Sequence, residues 1–196
     1  MKHEFLLPEA GGFRHLRSFI LARLCYDITI HFCELYIPAS SRTRDQMEQA
    51  ARSGVQNIAE GSAASATSKE TEIKLTNVAK ASLQELTLDY EDFLRQHQQA
   101  PWGKEEPLYR NFIQRRISDR RAFKAFIADA LAANPEIPKE FLVARGMLLL
   151  LRAVDYLLSR QLQRLSEDFI DDGGFHERMT RFRMDKRNRS RWQRGK

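Results

Sequence analysis

Cysteine is nearly absent from this sequence: Cys25 and Cys33 are the only two in 196 residues. They fall eight apart within one helical pattern, about 12 Å of rise, which excludes a disulfide between them. Proline and glycine are also few, at 6 and 9 residues, well below the fraction that marks collagen-like or low-complexity chains. Long apolar runs are missing. The longest, Met147 to Leu151, is closed by Arg152 and Asp155 far short of the roughly 20 residues a membrane span needs. The N-terminal Met-Lys-His-Glu-Phe-Leu-Leu-Pro-Glu has no apolar stretch after its basic residue, so it does not read as a secretory signal and predicts a cytoplasmic protein. Neither C-x-x-C, H-E-x-x-H, G-x-x-x-x-G-K-[ST] nor Glu-x-x-His occurs, and with them go the zinc, metalloprotease, P-loop and di-iron-bundle signatures. The expectation is a non-enzymatic chain with no metal and no cofactor.

What is present is a foldable composition: 42% hydrophobic residues supply a core for one domain with an extension. Charge is concentrated at one end. From Gly173 to Lys196 nine Lys/Arg face two acidic residues, leaving seven net positive charges, while the preceding 172 residues carry a net −1. The cations are mostly arginine: Arg178, Arg181, Arg183, Arg187, Arg189, Arg191 and Arg194, with Lys186 and Lys196. A guanidinium donates two parallel hydrogen bonds to phosphate, so such a tail suits RNA or DNA. The plain alternative is a solvated basic terminus with only non-specific attraction.

Helical periodicity dominates the rest, and no stretch alternates long enough for a strand. The chain is read as all-α. A first helix runs from about Phe13 to Ile37 and stops at Pro38. A second opens at a Thr43-Arg-Asp-Gln46 capping box, buries Met47, Ala50, Ala51, Gly54, Val55 and Ile58, and ends at Gly61 as a left-handed terminus. A third follows a Thr67-Ser-Lys-Glu70 box and spans about Ser68 to His97. Turn-rich Gln98 to Pro107 leads into a helical insertion at about 101–135, where Ser118-Asp119 could cap a new helix and split the segment. The last long helix covers about Pro138 to Asp168, with Ala144, Met147, Leu151, Val154, Leu158, Leu162 and Leu165 as its stripe.

Three strings carry a family likeness: Gln46-Met-Glu-Gln-Ala-Ala-Arg-Ser53, Asn57-Ile-Ala-Glu-Gly61, and Lys69-Glu-Thr-Glu-Ile73 leading into Ala79-Lys-Ala-Ser-Leu-Gln-Glu85-Leu. On them the stretch Arg44 to Leu94 resembles the small bacterial four-helix-bundle family first described from intervening sequences of large-subunit ribosomal RNA genes, which includes the accessory variability determinant of diversity-generating retroelements. The end of the chain, Gly173-Gly-Phe-His-Glu-Arg-Met-Thr-Arg-Phe-Arg183, looks like the C-terminal module of that family's suffix variant. The resemblance implies an up-down four-helix bundle over 1–172, a suffix at 173–196, assembly as a homo-oligomer (often a pentamer), and, in the retroelement members, contact with nucleic acid and a reverse transcriptase.

Candidate chemistry is sparse. Asp27 and His31 are one helical turn apart, so the carboxylate could orient the imidazole as a base or ligand; the plainer reading is a satisfied polar pair in a bundle or subunit seam. Asn57, Glu60, Ser82 and Glu85 could converge where the second and third helices join, to bind a cation or an acid/base substrate or, more plainly, to tie the helix ends together. Arg116, Arg120 and Lys124 read as an i, i+4, i+8 stripe, flanked by Arg115 and Arg121, that extends a phosphate-binding surface or forms the solvated back of an amphipathic helix. In the tail, Phe175, Met179 and Phe182 make a short apolar stripe that could instead dock a protein, and Trp192 could stack on a base. Together these features predict an oligomeric bundle that presents its Arg-rich end to nucleic acid, with a protein-interaction adaptor as the alternative.

Overall fold

The computed structural model describes residues 12–172 and, beyond them, residues 179, 180, 183, 184 and 187. Among the described residues all regular structure is helical. A 3-10 turn at Gly12–His15 precedes α1 (Arg17–Tyr36), α2 (Arg42–Ala64), α3 (Lys69–Gln96), α4 (Pro107–Arg115), α5 (Arg120–Ala133) and α6 (Lys139–Asp172). The all-α reading therefore holds. No helix among the described residues is long and apolar enough to cross a membrane.

α2, α3 and α5 begin where a side-chain oxygen satisfies a first-turn amide, though not always at the residues the sequence suggested. α2 is capped by Ser41, whose Oγ accepts from the Thr43 amide at 3.3 Å. The expected Thr43–Gln46 box does not form, because the Pro38 turn (Ser41 N to Pro38 O, 2.9 Å) delivers Ser41 to the cap position first. α3 is capped by Ser68, whose Oγ accepts from the Thr71 amide at 3.1 Å. The neighbouring Thr67 hydroxyl turns back to donate to Ala64 O at 3.2 Å, so the Thr67 box is likewise replaced. Gly61 does not end α2, which continues to Ala64. It is buried, and a Cβ there would lie 3.3 Å from Leu75 Cβ. Its role is close packing rather than a left-handed turn.

α1 and α3 each pack on both α2 and α6. The connection between α2 and α3 is only residues 65–68, and the paired positions run in opposite senses: Ser53 meets Ser82, Gly54 faces Leu83, and Gly61 faces Leu75. At Gly54 an added Cβ would fall 2.6 Å from Leu83. α1 meets α6 at one end through Ser18 Oγ, which donates to Gln161 Oε1 at 3.0 Å. The shared core holds Phe32 between Tyr90 and Phe93, with ring centroids 5.0 Å away in each case. The buried Tyr90 hydroxyl donates to Thr29 Oγ1 at 3.1 Å, so its one polar atom has a partner. α6 supplies the largest apolar stripe, with Met147, Leu150, Leu151, Val154 and Leu158 all buried.

The segment between α3 and α6 does split into two helices. Arg116 adopts φ 47°, ψ 48° and closes α4, and Asp119 Oδ1 then caps α5 by accepting from the Ala122 amide at 2.9 Å. An aromatic cluster seats both short helices: Phe126 packs edge-on against Phe112 (5.0 Å) and Trp102 (5.8 Å). Gly146 leaves room on α6 for the Phe123 ring, which would sit 3.1 Å from a Cβ. Arg145 ties the preceding connection to α6, donating from Nε to Ala100 O (2.8 Å) and from Nη2 to Gln99 Oε1 (3.0 Å).

Candidate functional site

Of the tail residues read as phosphate contacts, Arg183 and Arg187 are described: both have helical backbone and are exposed. Arg178, Arg181, Lys186, Arg189, Arg191 and Arg194 lie outside the described residues, as do Phe175, Phe182 and Trp192. Met179 is helical and half-buried.

The Arg116, Arg120, Lys124 stripe is not one helical stripe. The left-handed residue at Arg116 ends α4, so only Arg120 and Lys124 share a helix, one turn apart on α5. Arg115 serves structure instead: it donates to Asp129 Oδ2 at 2.7 Å and its guanidinium lies 5.5 Å from the centre of the Phe126 ring.

Arg120 and Lys124 border a cleft of about 360 Å³ between α1, α5 and α6. Ile28, Phe32, Leu35, Phe123, Ile127 and Val143 form its apolar lining, and His31, Arg120, Lys124 and Lys139 supply cationic or imidazole groups. Among the described residues none of Arg120, Lys124 and Lys139 has a carboxylate partner. Asp27 and His31 do not pair with each other. Asp27 lies 3.6 Å from Arg23 Nε, and His31 Nδ1 lies 3.4 Å from Glu34 Oε2. Beside them on α1 the thiols are inert: burial pushes the Cys33 thiol up to about 12 and the Cys25 thiol also upward, so both stay protonated.

The motif on α2 and α3 is brought together only in part. Ser53 and Ser82 hydroxyls are 3.0 Å apart, and Asn57 Nδ2 donates to Ser53 O (2.9 Å) and Ser53 Oγ (3.1 Å). Glu60 is exposed and takes no part. The reversed register explains this: Ser82 lies opposite Ser53, so Glu85 falls near Ala50 while Glu60 falls near Thr76, about 13 Å further along the axis. The four residues therefore do not converge at the helix junction. Glu85 instead lines a polar groove with Asp89, Ser82, Ser53, Asp45 and Arg42. Burial, followed by the nearby Asp92 and Glu85 charges, moves the Asp89 carboxyl above its ordinary range. No group of three or more His, Cys, Asp or Glu among the described residues is placed to hold a metal ion.

Two contributors escaped sequence reasoning. Ser53 was visible only as the end of a motif string, and its hydroxyl matters because Ser82 arrives from 29 residues away. Lys139 carries no local signal in the sequence; its place at the cleft depends on three elements distant in sequence. Comparison with family models, with curated proteins and with solved structures gives no match, so the likeness of residues 44–94 to the four-helix-bundle family rests on its motif strings alone.

Proposed function

We propose that this chain is a non-enzymatic, oligomeric helical-bundle protein of the cytoplasm that binds RNA or DNA through its Arg-rich C-terminal residues. In this reading α1, α2, α3 and α6 form an up-down four-helix bundle, α4 and α5 are an insertion, and 173–196 is the electrostatic contact. The observation that carries the reading is charge segregation: seven net positive charges in the last 24 residues against a net −1 in the other 172. Clustered guanidinium groups neutralise phosphates and release counterions, which gives affinity with little sequence preference. The exposure of Arg183 and Arg187 supports it, and Arg116, Arg120 and Lys124 add cationic surface on the insertion. Self-association is supported by Leu88 (61% exposed) and Tyr156 (64% exposed) on α3 and α6, large side chains that a second copy would cover. The family likeness makes a pentamer and a reverse-transcriptase-like partner the first assemblies to examine.

The test is fluorescence anisotropy of labelled RNA and labelled duplex DNA with the full chain and with a full-length Arg181→Glu, Arg183→Glu, Arg187→Glu variant. With about six phosphate contacts, affinity falls by about three orders of magnitude between 50 and 200 mM salt. The triple variant loses most binding even at low salt. No binding by the native chain at 50 mM salt, or undiminished binding by the variant, sinks the proposal. A second reading, a protein-interaction adaptor using Phe175, Met179 and Phe182, draws on the half-burial of Met179. Under it, Phe175→Ala with Phe182→Ala abolishes partner capture while the arginine changes weaken it only mildly.

A further inference from the structure

We infer that the cleft between α1, α5 and α6 is a binding site for a small amphiphilic anion, a medium-length hydrocarbon body carrying one carboxylate. Three observations meet there. The interior is hydrocarbon: Ile28, Phe32 and Leu35 from α1 face Phe123 and Ile127 from α5 and Val143 from α6. The border is cationic, with Arg120 and Lys124 one turn apart on α5 and Lys139 at the start of α6. Those three cations have no carboxylate partner among the described residues, although Arg115 on the same insertion is paired with Asp129.

The combination selects the ligand class. A nucleic-acid backbone would use the cations and leave the apolar interior empty, because phosphates and sugars have nothing to bury in it. A neutral hydrocarbon would use the interior and leave the cations idle. An amphiphile with an anionic head uses both: its body leaves water against the lining, and its head receives charge-assisted hydrogen bonds from Arg120 or Lys124. Decanoate, a ten-carbon chain with one carboxylate, is a simple probe of that class. The site shares Arg120 and Lys124 with the cationic surface of the proposed nucleic-acid role but needs nothing from residues 173–196.

The experiment is a titration of the full chain with sodium decanoate and, separately, with decylammonium, a chain of matching length and opposite charge. Binding is read by calorimetry and by methyl resonances of Ile28, Ile127 and Val143. Decanoate should bind at least about tenfold more tightly than decylammonium, with saturation below about 1 mM, and should shift all three methyl groups. Arg120→Gln with Lys124→Gln should remove that preference. Both side chains are exposed, so the variant is expected to keep the native helical signal and melting temperature; Leu35→Gln, also at an exposed position, independently weakens both ligands. Equal affinity for the two ligands, an unchanged preference in the double variant, or no methyl shift at saturation overturns the assignment. The Arg181, Arg183, Arg187 variant used for nucleic acid should bind decanoate normally, so the two proposals fail separately.

Discussion

Two concave surfaces of this molecule are built from opposite materials. The groove on α2 and α3 has hydroxyls and carboxylates, with Ser53 and Ser82 bonded at its base and Asp45, Glu85 and Asp89 around them. The cleft of α1, α5 and α6 has a hydrocarbon interior bordered by Arg120, Lys124 and Lys139. A body whose net charge is only −1 nevertheless carries a mainly acidic groove and a cationic cleft border. Net charge describes long-range attraction; it is silent about patches on the scale of a Debye length, roughly 10 Å. The two also differ in how they are held. The groove rests on helices brought close by Gly54 and Gly61, the cleft on an aromatic cluster that joins α5 to α4 and the connection before it, and on the Phe123 ring seated at Gly146 of α6.

That difference in support can be tested in order of expected effect. Phe126→Ala removes the ring shared by Phe112 and Trp102 and should cost about 3–5 kcal/mol, lowering Tm by about 10 °C. Hydrogen exchange should then show α5 amides losing protection while those of α2 and α3 keep theirs; equal loss in both places would break the distinction. Gly54→Ala drives a methyl into Leu83 and should cost about 1–2 kcal/mol net of its helix-propensity gain, a fall of about 5 °C in thermal denaturation. The same change should leave decanoate binding intact. Ser82→Ala deletes one hydroxyl from the groove while Ser53 keeps Asn57, so a loss of about 1 kcal/mol is expected in urea unfolding.

The smallest effect concerns Glu72, at the end of the α2–α3 seam below Gly61. Its Oε2 is buried without a hydrogen-bond partner, and Lys69 Nζ lies 3.5 Å away. Burial raises its carboxyl above the ordinary range, only partly offset by Lys69. Because the folded state holds this proton more tightly than the unfolded chain, the stabilising contribution is complete below the ordinary carboxylate pKa and is lost as pH rises through the folded value. Glu72→Gln should therefore raise Tm by about 2 °C at pH 7 and change little near pH 3.5. A drop at pH 7 would mean that the Lys69 pair outweighs desolvation.

Much of the helical framework was legible because its punctuation is chemical: Pro38 after α1, Pro138 before α6 and the turn-rich segment after His97 each forbid or discourage continuation. Caps were read one or two residues late or early. Ser41 and Thr43, or Thr67 and Ser68, are equally competent oxygens, and the turn that delivers them to the first amides decides between them. Glycine at 61 could be a terminus or a contact, and only the arrival of Leu75 from the next helix distinguishes the two. The basic stripe on the insertion was misread because one left-handed residue at Arg116 resets the helical phase. The cleft was hidden altogether, as Phe32, Lys124 and Lys139 share no local pattern.

The two glycines of α2 have a kinetic consequence as well. α2 and α3 are joined by four residues and meet along much of their length, so their contacts form with little loop-closure entropy, whereas α1 must wait for α6 across more than a hundred residues. Folding should start in this hairpin, and in the native state its amides should be among the last to exchange with solvent. Mutations at Gly54 should consequently slow folding, while mutations at Phe126 should mainly accelerate unfolding.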